Sequence, residues 1–161
     1  MIIHFIGQPG SGKTTVAEQT VKFLEAAKLT TLHKPILIDG DNVRDIFKNK
    51  DYSEAGRRKN LENAYNIARF LDAKGFTPVL AMVSPFLDLR EELKRNAEVK
   101  EFYLKTSQTR GREDFFVKNY EAPIHDFIEL DTDQPVEVSI EKIFDSILSK
   151  IVIQYPRETN N

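Results

Sequence analysis

The first residues whose types and spacing suggest a specific chemistry lie in the segment GQPGSGKTT, residues 7–15. Gly7, Gly12, Lys13 and Thr14 match the phosphate-binding pattern G-x-x-x-x-G-K-[ST] in full. Glycines allow backbone N–H groups to point at phosphate oxygens, which a Cβ would obstruct. The lysine provides a cation for the terminal phosphates, and the threonine hydroxyl is a hard oxygen ligand of the kind that Mg²⁺ prefers. The segment therefore predicts a site for a nucleoside triphosphate and Mg²⁺.

A second polar group, IDGDNVR at residues 38–44, follows an apolar run. We expect Asp39 to order Mg²⁺ through a water molecule or to accept a proton from an acceptor hydroxyl during phosphoryl transfer. The planar guanidinium of Arg44 suits an anionic group of the acceptor. The same residue types are also typical of a solvated turn that caps a helix at Asp41 or Asn42. Taken alone, this segment fits both interpretations equally well.

Two further polar groups change that balance. The segment DYSEAGRRKN, residues 51–60, leads into a predicted helix that begins at residue 57. Arg57 and Asn60 share one face of that helix. Tyr52 offers a stacking surface beside them, and VSPF, residues 83–86, ends another apolar run. Each group has a structural explanation as well, such as a surface charge, loop packing or a helix cap. Their expected convergence on one sheet edge beside the phosphate loop nevertheless predicts a binding site.

The elements that must position these groups alternate between short apolar strands and amphipathic helices. The predicted strands span residues 2–6, 35–39, 77–83, 99–104 and 126–130, and the predicted helices span 13–27, 57–74, 87–96 and a last stripe within 140–151. This alternation is typical of βαβ units. We therefore predict an α/β, three-layer P-loop NTPase fold with a mostly parallel five-stranded sheet and helices on both faces. One domain would span residues 1–155 and a flexible tail would span 156–161.

Composition narrows the possible partners and compartments. The chain has 161 residues, no cysteine and a formal net charge of −2, which excludes disulfides and predicts no nucleic-acid partner. We find no secretory signal and no apolar run of the ~20 residues that a membrane span needs, so the sequence favours a cytoplasmic protein without a membrane partner. His4, His33 and His125 lack metal-ligand spacing, and we expect structural roles for them. The apolar stripe of the last helix fits either the core or a homodimer surface.

Phosphate loops of this kind occur in switch GTPases, ATPase motors and small-molecule kinases, which the fold alone does not separate. The chain is short for a motor, and it contains no N-K-x-D segment with which to read guanine. These two observations favour a small-molecule kinase. They do not identify the acceptor.

In its motifs and their order, the sequence resembles the adenylylsulfate (APS) kinases. That family has a phosphate loop, an LDGDNVR segment, an FS…R..N segment at a helix start, an FISP strand end and a YEAP segment before the last strand. The corresponding segments here are GQPGSGKTT, IDGDNVR, YSEAGRRKN, MVSPF and, at residues 120–123, YEAP. They follow in the same order from residue 2 to about residue 148, nearly the whole chain.

The resemblance implies that the γ-phosphate of ATP passes to the ribose 3′-hydroxyl of APS, giving PAPS and ADP with the help of Mg²⁺. It matches Asp39 to the catalytic aspartate of the family, and we expect Lys13 to be catalytic as well. Ser84 matches a serine described as a phosphorylated intermediate. Because direct in-line transfer needs no covalent step, we expect a binding role for it. The residues predicted to bind ATP are Gly7, Gly10, Ser11, Gly12, Lys13, Thr14 and Thr15, and the metal would be bound by Thr14 and, through water, by Asp39.

For the acceptor, the resemblance assigns Arg44, Arg57 and Asn60 to the phosphosulfate and ribose of APS. Tyr52 stands where the family usually has a phenylalanine that stacks on adenine, and the backbone of Val83 would line the pocket. The residues predicted to bind the acceptor are Asp41, Arg44, Tyr52, Arg57, Asn60, Val83, Ser84 and Phe116.

One region departs from the family. The family normally has a longer lid, with RDPKGLY and FTG segments and a second aromatic over adenine. Here KTSQTRGREDFFVKN takes its place within what we call the lid segment, residues 105–122. We expect Arg110 to match the lid arginine and bind ATP, and Phe115 or Phe116 to replace the aromatic. Arg110 and Arg112 are candidates for stabilising transferred charge, or else plain solvated charges.

The short lid and a glycine at position 56, where the family usually has an acidic residue, bear on the acceptor more than on the reaction. APS kinase activity is the first interpretation. A kinase for another nucleotide or a small alcohol is the second, and a nucleotide-binding module without turnover is the third.

Overall fold

The computed structural model describes residues 1–27 and 33–154, with side chains described up to residue 148. Within that part the strands are β1 (Ile2–Ile6), β2 (Pro35–Asp39), β3 (Thr77–Ala81), β4 (Val99–Lys105) and β5 (Phe127–Asp131). The helices are α1 (Lys13–Ala27), α2 (Gly40–Ile46), α3 (Glu54–Ala73), α4 (Leu87–Asn96) and α5 (Val136–Gln154), with one 3₁₀ turn at Glu113–Phe115. The described strands form one sheet in the order β2-β3-β1-β4-β5, and every pairing among them is parallel.

Two apolar clusters cover the two faces of this sheet, and β1 contributes to both because its side chains alternate. Ile3 and Phe5 pack with α1 and α5, for instance against Val16 and Ile143. Ile2 packs on the other face with residues of α2, α3 and α4, such as Leu61. The three-layer α/β fold expected from the sequence is therefore confirmed. Among the described helices, none is both long and apolar enough to cross a bilayer.

Element ends differ from the sequence expectation where local capping decides them. β3 ends at Ala81 instead of residue 83, and α3 begins at Glu54 instead of residue 57. The earlier helix start follows from Ser53, whose hydroxyl accepts a hydrogen bond from the N–H of Gly56 (3.2 Å) as an N-cap. At its other end, α3 stops at Ala73, and Gly75 follows with φ +80°, the left-handed backbone that glycine commonly adopts after a helix.

The last helix uses its apolar stripe mainly for the core. Ile143 and Ile147 are each 1% exposed, and Ile140 and Phe144 pack against the same cluster. The side chain of Ile151 and the predicted tail, residues 156–161, lie outside the described residues.

Candidate active site

A cleft of about 590 Å³ opens at the carboxyl edge of the sheet, where ligands bind in open parallel sheets. The phosphate loop, the ends of β2 and β3, the start of α3 and the lid segment all contribute to its walls. Most of the residues predicted for the site line it: Gly10, Lys13, Thr14, Asp39, Asp41, Arg44, Tyr52, Arg57, Asn60, Val83, Ser84 and Phe116. The predicted residues that do not line it are Gly7, Ser11, Gly12, Thr15 and Arg110.

The phosphate loop has the backbone that its glycines predict. Gly7, Gly10 and Gly12 adopt φ values of +147°, +81° and +88°, a region that side chains rarely enter. At Gly7 an added Cβ would also lie only 2.6 Å from the carbonyl oxygen of Leu104. The loop therefore depends on glycine both for its turn and for its approach to β4.

Lys13 folds back over this loop. Its Nζ donates to the carbonyl oxygen of Gln8 (2.7 Å) and lies 3.3 Å from the hydroxyl of Ser11. Burial lowers the pKa of Lys13 to about 8, and the carboxylates of Asp39 and Asp41 oppose that shift only in part. A buried ammonium on so few partners is suited to an incoming anion, which would replace the carbonyl as its partner.

Asp39 joins the phosphate loop to β2 and α2. Its Oδ2 accepts a hydrogen bond from the hydroxyl of Thr14 (3.1 Å), while its Oδ1 accepts one from the N–H of Asp41 (2.9 Å) and so caps α2. The alternative of a cap at Asp41 or Asn42 is wrong, because β2 runs directly into α2 and leaves Asp39 as the boundary residue. Asp39 therefore caps α2 and lines the cleft at the same time.

Thr14 and Asp39 place two hard oxygens side by side in the cleft, and the exposed hydroxyl of Thr14 leaves room for a cation with its waters. Mg²⁺ normally takes one or two protein oxygens together with substrate phosphates and water, so these two residues fit it. In the described part of the chain, no three His, Cys, Asp or Glu side chains cluster as a metal site of their own.

The opposite wall of the cleft is cationic. The guanidinium carbon of Arg44 lies 4.2 Å from the centre of the Tyr52 ring, and that of Arg57 lies 5.7 Å from the same point. Burial and the charge of Arg44 lower the pKa of Arg57. Within residues 1–27 and 33–148, neither arginine forms a salt bridge with a carboxylate. This wall therefore suits an anionic group.

A tight loop between α2 and α3 builds that wall. Arg44 donates to the carbonyl oxygens of Asn49 (3.2 Å) and Asp51 (2.8 Å), and Arg57 donates to that of Tyr52 (2.9 Å). Asn49 in turn donates to the carbonyl of Gly56 (2.8 Å). A Cβ on Gly56 would overlap the backbone and carboxyl of Asp51, so the departure noted at position 56 is a requirement of this loop.

Asn60 and Ser84 close the floor of the cleft. Asn60 donates to the carbonyl of Gly40 (3.1 Å), and its own buried Oδ1 has no hydrogen-bond partner among the described residues. Ser84 is 1% exposed, and its hydroxyl lies 2.9 Å from Nε2 of His4, whose pKa is lowered by burial to about 3. Because the hydroxyl is engaged below the cleft surface, the geometry favours the backbone of Ser84, with φ +46°, as the part that meets a ligand.

Sequence reasoning missed Arg90, which holds this floor from beneath. The arginine is fully buried and donates to the carbonyl oxygens of Ser84 (2.5 Å) and Glu121 (2.6 Å). The carboxylate of Glu101 lies 3.6 Å from its Nε, and Lys94 pairs with that carboxylate at 3.0 Å. Arg90 stands in the charged run LDLREELKRN, in which nothing distinguishes it from its solvated neighbours.

The lid segment divides its predicted residues between two places. Phe115, Phe116 and Arg112 line the cleft, with both rings largely exposed. Arg110 lies behind the phosphate loop, where it donates to the carbonyl oxygens of Thr132 (2.6 Å) and Gly10 (3.3 Å). The position of Arg110 supports the loop from outside, so in this arrangement it does not touch the cleft.

The comparisons with known proteins agree with this architecture. A family model described as "Adenylylsulphate kinase" matches residues 1–139. The adenylyl-sulfate kinase of Lactiplantibacillus plantarum is 27% identical over 89% of this chain and 78% of its own. That of Oceanobacillus iheyensis is 27% identical over 92% of this chain and 84% of its own. The structure of Mycobacterium tuberculosis APS kinase in complex with AMPPNP and APS is similar in fold, with a TM-score of 0.77 at 20% identity over 89% of this chain and 95% of that one.

Proposed function

The chain belongs to the adenylylsulfate kinase family, and from that membership we propose that its cleft transfers the γ-phosphate of ATP to the 3′-hydroxyl of APS. The products are PAPS and ADP. The single observation that carries this proposal is that a wall with phosphate- and metal-binding groups faces a cationic wall across one cleft. Lys13, Thr14 and Asp39 stand on one wall, and Arg44 and Arg57 stand on the other.

The first wall would hold the donor. The backbone amides of the phosphate loop would bind the phosphate oxygens, and Lys13 would exchange the Gln8 carbonyl for the terminal phosphates. Thr14 and, through water, Asp39 would hold Mg²⁺, which supplies neutralisation of the phosphate charge when it is bound. Gly10, Ser11, Gly12 and Thr15 belong to the same donor set by their place in the loop.

Asp39 would also meet the acceptor hydroxyl. Its carboxylate sits between Thr14 and the N-terminus of α2, so it is fixed at both oxygens and does not need to reorganise on binding. From that position it would orient the hydroxyl and accept its proton as the new phosphate ester forms. The proton leaves the hydroxyl for the carboxylate, while the bond from the γ-phosphorus to the β-γ bridging oxygen breaks and releases ADP.

The second wall would hold APS. Arg44 and Arg57 would bind its phosphosulfate anion, and Asn60 would use its free Oδ1 to accept from a ribose hydroxyl. Tyr52 would stack on the base, as would Phe116 from the lid segment, while the backbone of Val83 and Ser84 would line the pocket floor. Asp41 at the start of α2 completes this set.

Steady-state ADP release with a panel of acceptors tests the proposal. APS, AMP, which lacks only the sulfate, and a sugar acid would be compared, with Lys13→Ala as the background and phosphorus NMR to locate the new ester. We expect saturation by APS at low concentration and a much lower kcat/KM for AMP. If kcat/KM were higher for AMP or the sugar acid than for APS, that compound and not APS would be the acceptor. Tight ATP binding without any product would instead favour a nucleotide-binding module.

Two predictions about the context of the enzyme remain open to direct tests. The partly exposed Phe23 on α1 and Phe144 on α5 line an apolar groove, which is the surface that a homodimer would use. Light scattering on the purified protein measures whether the homodimer forms. A cytoplasmic location stays a prediction from the composition.

A further inference from the structure

The side chain of Gln8, the second residue of the phosphate loop, is joined to the lid segment by two hydrogen bonds. Its Nε2 donates to the carbonyl oxygen of Val117 (3.0 Å), and its Oε1 accepts from the N–H of Val117 (2.9 Å). The two residues lie 109 positions apart in the chain. The amide therefore pairs with the lid backbone in the manner of a neighbouring strand, and this pairing does not depend on the side chain at position 117.

Two further contacts bring the lid segment against the same loop. The β- and γ-carbons of Arg112 pack on Gly10, where an added Cβ would lie 3.1 Å and 3.4 Å from them. Arg110 donates to the carbonyl of Gly10 (3.3 Å). The backbone carbonyl of Gln8 is also the main partner of Lys13, so one residue contacts both the phosphate-binding lysine and the lid segment.

The middle of the lid segment is held by hydrogen bonds and not by buried side chains. Its two ends are anchored: Ser107 donates to Asp133, and Glu121 donates through its N–H to the carbonyl of Pro85 (2.9 Å). Between these anchors the side chains of residues 111–116 are all exposed, so no buried apolar surface fixes them. The N–H groups of Phe115 and Phe116 close a local 3₁₀ turn on the carbonyl oxygens of Arg112 and Glu113. This turn shapes the segment, and the hydrogen bonds of its two flanks to the phosphate loop place the rings at the cleft.

We propose that Gln8 is a positioning residue that fastens the lid segment to the phosphate loop and so holds Phe115 and Phe116 over the cleft. The inference rests on the proposed function, because the covered cleft is taken to be where ATP and the acceptor meet. In a fastened state the rings exclude water from the γ-phosphate and complete the acceptor pocket. Without the fastening, water reaches the γ-phosphate and ATP is hydrolysed to ADP and inorganic phosphate.

Gln8→Met tests this inference, because methionine keeps the length of the side chain and removes both hydrogen bonds. Gln19→Met on α1 is the matched control, since it makes the same change at a half-buried glutamine outside the cleft. Amide hydrogen exchange at Val117 should become roughly 30-fold faster in Gln8→Met, as expected for the loss of two neutral hydrogen bonds. The melting temperature of Gln8→Met should fall by no more than about 4–8 °C, which is the whole-fold equivalent of the same loss. In Gln19→Met the exchange of Val117 should stay unchanged.

Kinetics supply the second measurement. In Gln8→Met we expect the KM for the acceptor to rise about tenfold with kcat reduced much less. The ratio of inorganic phosphate to phosphorylated acceptor should also rise, which a merely destabilised enzyme would not produce. Equal Val117 exchange in Gln8→Met and the native protein would overturn the inference, as would an unchanged KM and phosphate ratio. Absence of turnover with APS in the native protein would overturn the proposed function instead, while the exchange experiment would still decide the role of Gln8.

Discussion

Substituting Asp39 by asparagine separates the two jobs that the structure gives to one carboxylate. As an N-cap, Asp39 accepts from the N–H of Asp41 (2.9 Å), and asparagine performs the same function about equally well. As a partner of the acceptor hydroxyl, it needs the basicity that the amide lacks. Asp39→Asn should therefore leave the fold intact and lose the chemistry.

The expected magnitudes follow from these contacts. The loss of a general base lowers kcat by about 10²–10⁴. Affinity for a non-hydrolysable ATP analogue should change less than about tenfold, because the amide oxygen keeps the cap while Nδ2 can donate to the hydroxyl of Thr14. Asp39→Ala should lose kcat to a similar degree and in addition lose the cap, which is worth about 1 kcal/mol. For a chain of this size that corresponds to a melting temperature lower by roughly 2–4 °C.

Coupled ADP-release assays, calorimetric titration with the analogue and thermal unfolding would measure the three quantities. Asp45→Asn, which makes the same change on an exposed face of α2 outside the cleft, is the matched control. Full turnover in Asp39→Asn would refute the catalytic role. A kcat loss of the same size in Asp45→Asn would refute the assignment to position 39.

Two other perturbations test the remaining walls of the cleft. The pKa of Lys13, lowered to about 8 by burial, means that the charged form is lost as the pH rises through 8. Binding of the ATP analogue to the free protein should therefore weaken above pH 8, by at most ~tenfold per pH unit, and pH-independent binding up to pH 9.5 would argue against it. Gly56→Ala should collide with Asp51 and cost about 1–3 kcal/mol in unfolding free energy. It should also raise the KM for the acceptor, since that loop holds Arg44 and Tyr52, and an unchanged melting temperature together with an unchanged KM would contradict the loop argument.

The parts of the molecule that sequence predicted best are those decided by neighbours in the chain. The phosphate loop fits this description, because its glycines, lysine and threonine act within eight positions, Gly7 to Thr14. The alternation of strands and helices likewise follows from the local periodicity of hydrophobic residues. Capping at Ser53 and Asp39 was misjudged by a few residues, since several nearby side chains compete for each helix start.

Contacts between distant segments were not accessible in the same way. In the sequence, Arg90 cannot be distinguished from a surface charge. Only the folded structure shows that Ser84, Glu101 and Glu121 surround it. The pairing of Gln8 with Val117 depends on the path of the lid segment, which carries no periodic pattern. Such contacts follow from topology, and a single sequence contains no local signal for them.

Both partners of the central strand β1 lie far along the chain from it. Ile3 lies opposite Val79 on one side and Lys100 on the other, so neither neighbour has been made when β1 leaves the ribosome. At ~5–20 residues per second, the nascent strand waits on the order of 5–20 s for both partners. All five of its side chains are buried in the folded domain, and four of them are apolar, so this segment stays exposed until its partners are made. The strand that the fold buries on both faces is therefore the one that waits longest for its partners during synthesis.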